Sequence, residues 1–193
     1  MSRGTTRERL FTAAIDLIAE RGFAATTVDR IAERAGVAKG TVYYNFGSKS
    51  ALFDALLDFG ITRFARRLRD AAAGLPPDAA LDAVVREELA FLAEHEAFAR
   101  LLIAETWRQG GGDWQHAALM IRERVVGAVA DVLRGAVDAG LLRADLDVPT
   151  AASAVFGMVL VVGLDWRALQ PGRPRAEVEA TLLDLLRGRL AAV

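Results

Sequence analysis

The chain has 193 residues, 53% of them hydrophobic and 25% charged, with a formal net charge of −1. That is enough apolar content for a real core and too little net charge for a disordered chain, so one large or two small folded domains are expected. Cysteine is absent, which excludes disulfides, thiolate metal sites and a thiol nucleophile, and suits a cytoplasmic protein. Near-neutrality hides an asymmetry: residues 1–50 carry eight Lys and Arg against five Asp and Glu, and the remainder sixteen against twenty. A basic front end before an acidic remainder points to an anionic partner for the front end only.

In chain order, almost every segment reads as helix. Residues 1–9 hold no apolar stretch, so no signal peptide is expected there. Leu10, Ala14, Leu17 and Ile18 recur at helical spacing, and Gly22 suits the stop of that helix. Thr26-Thr27-Val28-Asp29 reads as a capping box, after which Val28, Ile31, Ala32 and Ala35 form an apolar stripe ending at Gly36. A short helix follows from Lys39 to Asn45. Ser48 can cap a longer one over Lys49–Ala73, closed by Pro76-Pro77. Further helices are expected over Ala79–Glu94, Ala97–Gln109, Trp114–Ala139, Thr150–Leu169 and Arg175–Ala192, with loops at Gly110–Gly112, at Gly140–Pro149 (where Asp147 and Pro149 suit a helix start) and at Pro171–Pro174. The longest apolar run, Ala151–Leu164, is fourteen residues, short of the roughly 20 that span a bilayer, so a buried helix of a soluble protein is expected. The fold class is all-α: short N-terminal helices, one long connector and a larger helical bundle.

Two short helices joined by Ala35-Gly36-Val37-Ala38 match a helix-turn-helix. Val28, Ile31, Ala32, Val37 and Val42 would pack inward, leaving Lys39, Gly40, Thr41, Tyr43, Tyr44 and Asn45 on the outer face of the second helix. Both tyrosines and both lysines of the chain fall within residues 39–49. The second helix is about 10 Å long and fits a major groove about 12 Å wide. Gly40 lets a backbone come close, Thr41 offers a methyl or a hydroxyl, and the tyrosines can touch sugar or thymine while a phenol bonds phosphate. Lys49, in the first turn of the next helix, adds its ammonium to free amide protons as a phosphate grip.

From Arg7 to Leu57 the chain resembles the TetR family of transcriptional regulators, through the order of first helix, Gly-Phe junction, helix-turn-helix and Tyr-x-x-Phe-x-x-Lys in "ERLFTAAIDLIAERGFAATTVDRIAERAGVAKGTVYYNFGSKSALFDALL". The resemblance implies DNA contacts at Thr27, Lys39, Tyr43, Tyr44 and Lys49 and a structural place for Phe46. Asn45 stands where the family often has histidine, so base preference does not carry over; Ser50 stands where it often has glutamate, which alters only local capping. The resemblance also implies that the last two helices pair with their copies in a homodimer, for which Val178, Leu182 and Leu185 mark one face.

The expected organisation is a DNA-binding domain over residues 4–64 and a ligand-binding and dimerisation domain over 65–193. Phe91, Phe98, Leu102, Glu105, Trp107, Met120, Arg124, Met158 and Trp166 are candidates for lining a cavity for a small hydrophobic effector, with most of them also suited to plain core. Arg63, Arg66, Arg67 and Arg69 read as a solvated face, since Arg63 is about 21 Å along the helix from Lys49. His95 and His116 have no metal-ligand spacing, and His95 reads as a surface helix end. No nucleophile–base pair, metal site or cofactor motif is expected. The reading is a homodimeric repressor released from a palindromic operator by an apolar ligand. The alternatives are a helical ligand-binding or scaffold protein whose helix-turn-helix is only structural, and an enzyme.

Overall fold

The computed structural model describes residues 5–23, 25–106 and 117–188, and among them every regular element is a helix. The helices are α1 (Thr6–Arg21), α2 (Val28–Ala35), α3 (Lys39–Phe46), α4 (Lys49–Ala72), α5 (Pro77–Glu94), α6 (Glu96–Thr106), α7 (Gly127–Asp138), α8 (Val148–Leu169) and α9 (Arg175–Leu186). A π-helical turn, Ile121–Val126, leads directly into α7. The chain forms two compact units, Met1–Gly60 with Ala97–Ala118, and Ile61–Glu96 with Leu119–Val193. The division falls inside α4, four residues before the boundary expected at residue 64, and Ala97–Ala118 groups with the N-terminal residues. The Gly110–Gly112 loop, Trp114 and Ala192 lie outside the described residues.

In the first unit the local signals largely act as read. Leu10, Ala14, Leu17 and Ile18 are buried, and Gly22, with a φ of 80°, caps α1. The start of α1 carries a capping box that went unread: the Thr5 hydroxyl accepts from the Glu8 amide while the Glu8 carboxylate accepts from the Thr5 amide. The box expected at Thr26–Asp29 does not form. Thr27 caps α2 alone, accepting from the Arg30 amide at 3.3 Å. Thr26 is buried and donates to the Gly22 carbonyl at 2.9 Å. The third residue of α2 is Arg30, so no carboxylate stands where the reciprocal bond needs one. Ser48 caps α4 through the Ala51 amide, as its position suggests. Phe46 packs on Phe11, and Phe11 on Phe59 of α4, so one aromatic cluster joins α1, α3 and α4.

In the second unit α5 packs against α7, α8 and α9. Phe64 of α4 stacks on Phe91 of α5 with ring centroids 4.2 Å apart. Asp147 caps α8 by accepting from the Thr150 amide, with Pro149 in the first turn, and the Thr150 hydroxyl and amide hold its carboxyl below the usual range. The expected solvated arginine face is only half so. Arg67 bridges Glu87 and Glu94, and Arg69 donates to the Arg124 carbonyl at 3.2 Å. His95 caps α5, but its ring is half-buried against Phe91, with centroids 4.6 Å apart, rather than free at the surface. Burial, followed by the Arg63 charge, pushes its pKa down.

Two expectations for the last helices need correction. Ala151–Leu164 is part of a longer helix of 22 residues whose most apolar stretch has a mean hydropathy of 1.7, long and apolar enough to cross a membrane by length and composition. Only 33% of its most apolar stretch is buried, so it is not the buried core helix that the sequence suggests. Conversely, Val178 and Leu182 of α9 are buried within the chain itself, on the side that meets α5. They cannot offer a surface to a second copy; Leu185 is exposed and can.

Gly60 of α4 is required by packing. A Cβ there would lie 2.2 Å from Cζ of Phe98, whereas a Cβ at Gly135 of α7 would meet nothing within 4 Å. Gly60→Ala should therefore cost about 1–3 kcal/mol through overpacking. Gly135→Ala should gain about 0.5–1 kcal/mol from helix propensity. Urea denaturation of the two variants beside the parent chain measures both.

Candidate nucleic-acid interface

The outer face of α3 owes its geometry to the turn before it. Gly36 adopts a left-handed conformation with φ 64° and ψ 42°, which glycine enters without a Cβ penalty. The amides of Gly36 and Val37 return to Glu33 and Ala32 carbonyls at 3.0 Å. Arg9 of α1 then places one guanidinium nitrogen on the Ala35 carbonyl and, at 3.1 Å, on the Gly36 carbonyl. A cation at the C-terminal end of α2 also suits the helix dipole. Arg34 forks onto Glu20 of α1 at 3.1 and 3.2 Å, and that hydrogen bond holds the Glu20 carboxyl below its usual range. The C-terminal end of α2 is thus fixed before α3 begins.

On α3 only Val42 is buried. Tyr44 is 91% exposed and Tyr43 46%, and Lys39, Gly40 and Asn45 are exposed beside them, with Thr41 half-buried. Two large amphipathic side chains in water are unusual enough to need a reason. No described atom lies within 4 Å of where a Cβ on Gly40 would sit. Nothing inside the protein calls for glycine there. Ala38 gives α3 no side-chain cap, so the positive end of the helix is open.

Several of the candidate side chains already have partners. Lys39 reaches Asp29 at 2.7 Å, which raises its pKa, and its ammonium lies 6.0 Å from the Tyr43 ring centroid. Thr27 serves as the cap of α2. Asn45 turns its amide back onto the Thr41 carbonyl at 2.7 Å. Lys49, expected as a phosphate grip, donates to the Phe23 carbonyl and sits 4.1 Å from that ring's centroid.

The candidates for a cavity divide between the two units. Phe98 lies in the first, against Gly60. Phe91, Met120, Arg124, Met158 and Trp166 belong to the second. Phe91 is stacked on Phe64, and Met120 is buried. Trp166 donates its indole N–H to the Arg173 carbonyl at 2.8 Å, which makes it the clasp of the α8–α9 corner. Arg124 donates to the Thr62 hydroxyl, and Met158 is half-buried. Leu102 and Glu105 fall on α6, but their side chains, like all of Trp107, lie outside the described residues. The sequence reading passed over Glu88. It is completely buried in α5, and neither carboxyl oxygen has a partner among the described residues. Its neighbours Glu87 and Glu94 are paired surface carboxylates, so nothing in the sequence marked it apart.

With this geometry in place, the comparisons decide the class. The model for bacterial regulatory proteins of the tetR family matches residues 10–56, which contain α2, the Gly36 turn, α3 and the start of α4. Over that segment the chain carries the DNA-binding region of the tetR family of bacterial regulatory proteins. It is 26% identical over 179 residues to the HTH-type transcriptional regulator SrpR of Pseudomonas putida, covering 90% of this chain and 79% of SrpR. It is 39% identical over 95 residues to the HTH-type transcriptional repressor KstR2 of Rhodococcus jostii (strain RHA1), covering 48% of this chain and 47% of KstR2. It therefore spans less than half of the second relative's length. The crystal structure of FadR from Bacillus subtilis in complex with stearoyl-CoA is alike in fold, with a TM-score of 0.81 over 95% of this chain and 99% of that one at 22% identity. The matched segment and the relatives alike are those of DNA-binding transcriptional regulators.

Arg9→Ala removes both contacts to the turn. Amide exchange at Gly36 and Val37 should quicken and the melting temperature fall. Arg21→Ala, which touches only the exposed Glu20 at 4.0 Å, should leave both unchanged. Hydrogen exchange read by mass spectrometry, with a thermal melt, distinguishes the two.

Proposed function

We propose that this TetR family regulator is a homodimeric repressor. It would bind an inverted-repeat operator through α3 of each copy and leave it when a small, largely hydrophobic molecule binds the C-terminal domain. The DNA-binding domain would comprise residues 4–64 and the ligand-binding and dimerisation domain residues 65–193. The observation that carries the DNA half is the state of α3: anchored by Val42, Phe46 and a fixed turn, with Tyr43 and Tyr44 in water. On this reading Thr41, Tyr43 and Tyr44 face bases and sugars, and Gly40 admits the backbone. Thr27, Lys39, Asn45 and Lys49 flank them toward phosphates. Such a protein works in the cytoplasm, where the DNA is.

The dimer follows from the operator's symmetry and from α8. A two-fold protein is needed to place two α3 helices on one side of the duplex. Val161 of α8 is 63% exposed, Leu169 75%, and Leu185 of α9 is exposed too. An apolar helix that one chain leaves uncovered needs a partner surface, and a second copy supplies it without a membrane.

The effector half rests on α4. Its 24 residues run about 36 Å, from Lys49 to the segment where Thr62 accepts from Arg124 and Arg69 donates to the π-helical turn. A ligand that prefers the DNA-incompetent spacing acts through that helix. A hundredfold loss of operator affinity needs a coupling of about 2.8 kcal/mol.

Gel shifts with DNA flanking the chain's own gene test the first half. Tyr43→Ala should lower affinity about tenfold and change sequence preference. Lys49→Ala should weaken all sequences alike and also lower the melting temperature, because Phe23 loses its anchor. Asp29→Asn, which frees Lys39, should tighten binding and steepen the salt dependence by about 0.9 per subunit in log–log slope. Unchanged binding in all three variants refutes the DNA face.

Light scattering tests the dimer. Val161→Glu and Leu185→Glu should give folded monomers that no longer bind the operator. Leu182→Glu should instead unfold the chain, because that side chain is buried within it.

A further inference from the structure

Glu88 sits mid-helix in α5, remote from either helix end, and is completely buried. Neither of its oxygens has a hydrogen-bond partner among the described residues. Leu92, one turn further along α5 and on the same face, lies against Gly163 of α8, where a Cβ would come within 2.9 Å of it. Glu88 therefore points toward the seam between α5 and α8. From Val148 to Leu164 α8 contains no ionisable residue.

Most of the charged groups described on the other neighbouring helices are paired or exposed, and Asp184 of α9 is half-buried. On α7 Arg134 holds Asp131 at the surface, and Asp138 is exposed. On α9 Glu179 meets Arg175, Glu177 meets Arg173, and Arg187 meets Asp82 of α5. Arg67 of α4 is taken by Glu87 and Glu94. Burial alone pushes the Glu88 carboxyl well above the usual carboxylate range. Its two oxygens lie in an apolar interior with nothing to bond among the described residues. Such a group is destabilising, and a buried unsatisfied polar group calls for an explanation.

We propose that Glu88 is the recognition residue of the effector site, and that the effector is a lipophilic cation: an apolar body carrying one protonated amine. This rests on the ligand-responsive reading above and names the ligand class for it. The reason for a cation is complementarity. A neutral hydroxyl would gain one ordinary hydrogen bond from Glu88. An ammonium gains a charge-assisted bond in a low-dielectric interior, about twice as strong, and supplies the counter-charge that the surrounding helices withhold. The balance is explicit: the Glu88 O–H bond breaks, its proton leaves to solvent, and the carboxylate that remains accepts from the ligand's N–H. An aliphatic carboxylate could accept from the Glu88 O–H, but it would bring its own uncompensated charge into the same interior.

The test uses the full chain and three probes of equal length, decylammonium, decanol and decanoate, in isothermal titration at neutral pH in buffers of different ionisation enthalpy. The parent chain should bind decylammonium at least tenfold more tightly than either other probe and release close to one proton per site. Glu88→Gln, which keeps size and hydrogen bonding, should lose that preference and the proton release while melting no lower than the parent. Equal affinity for decanol, binding without proton release, undiminished preference in Glu88→Gln, or no binding of decylammonium would each overturn the proposal. The ligand-responsive reading is judged separately: it survives if decanol or decanoate displaces operator DNA in a gel shift, and falls if no probe that binds does so.

Discussion

The turn at Gly36 is the constraint on which the DNA-binding end depends. A helix of two turns with one fully buried residue, Val42, has little packing of its own to fix its angle. Its direction is set upstream. Gly36 supplies the left-handed bend, and Arg9 holds the two carbonyls that the bend leaves pointing outward. The Phe46–Phe11–Phe59 cluster fixes the far end. The economy of this arrangement explains the exposed side: with the helix held from its ends, Tyr43 and Tyr44 are released from packing and left for another molecule.

The same logic, read in reverse, distinguishes the second unit. There α5 is covered by α7, α8 and α9, and its buried residues are apolar except Glu88. Val161 and Leu169 of α8 and Leu185 are apolar and exposed, and Glu88 is the carboxyl group with both oxygens buried and unpartnered among the described residues. One is surplus hydrophobic surface and asks for another protein surface. The other is a desolvated acid and asks for a small partner that can reach it. Between them α4 supplies a continuous helix from Lys49 to Ala72.

What could be read from the sequence was what depends on near neighbours. Gly22, Gly36, Ser48 and Asp147 act where they were expected, because caps and turns are decided within a few residues. The helix-turn-helix was legible for the same reason, and the family match over residues 10–56 covers that stretch. The failures are non-local. Periodicity showed that Val178 and Leu182 face something apolar, but it cannot say whether that surface is α5 of the same chain or a second copy. The bond from Lys49 to the Phe23 carbonyl was not legible, because the two lie 26 residues apart in sequence. Glu88 looked like one more charge in an Arg-Glu-Glu run. Only packing shows that it is turned inward while Glu87 meets Arg67.

Because the chain has no cysteine, one can be placed at a single chosen point. Tyr44→Cys carrying a tethered iron chelate would cut DNA only where α3 lies. The account predicts two short clusters of cleavage on the operator, centred about one helical turn apart, and none from the same chelate on Leu141→Cys at the exposed α7–α8 loop. Diffuse cleavage, a single cluster, or equal cutting from both positions would contradict it.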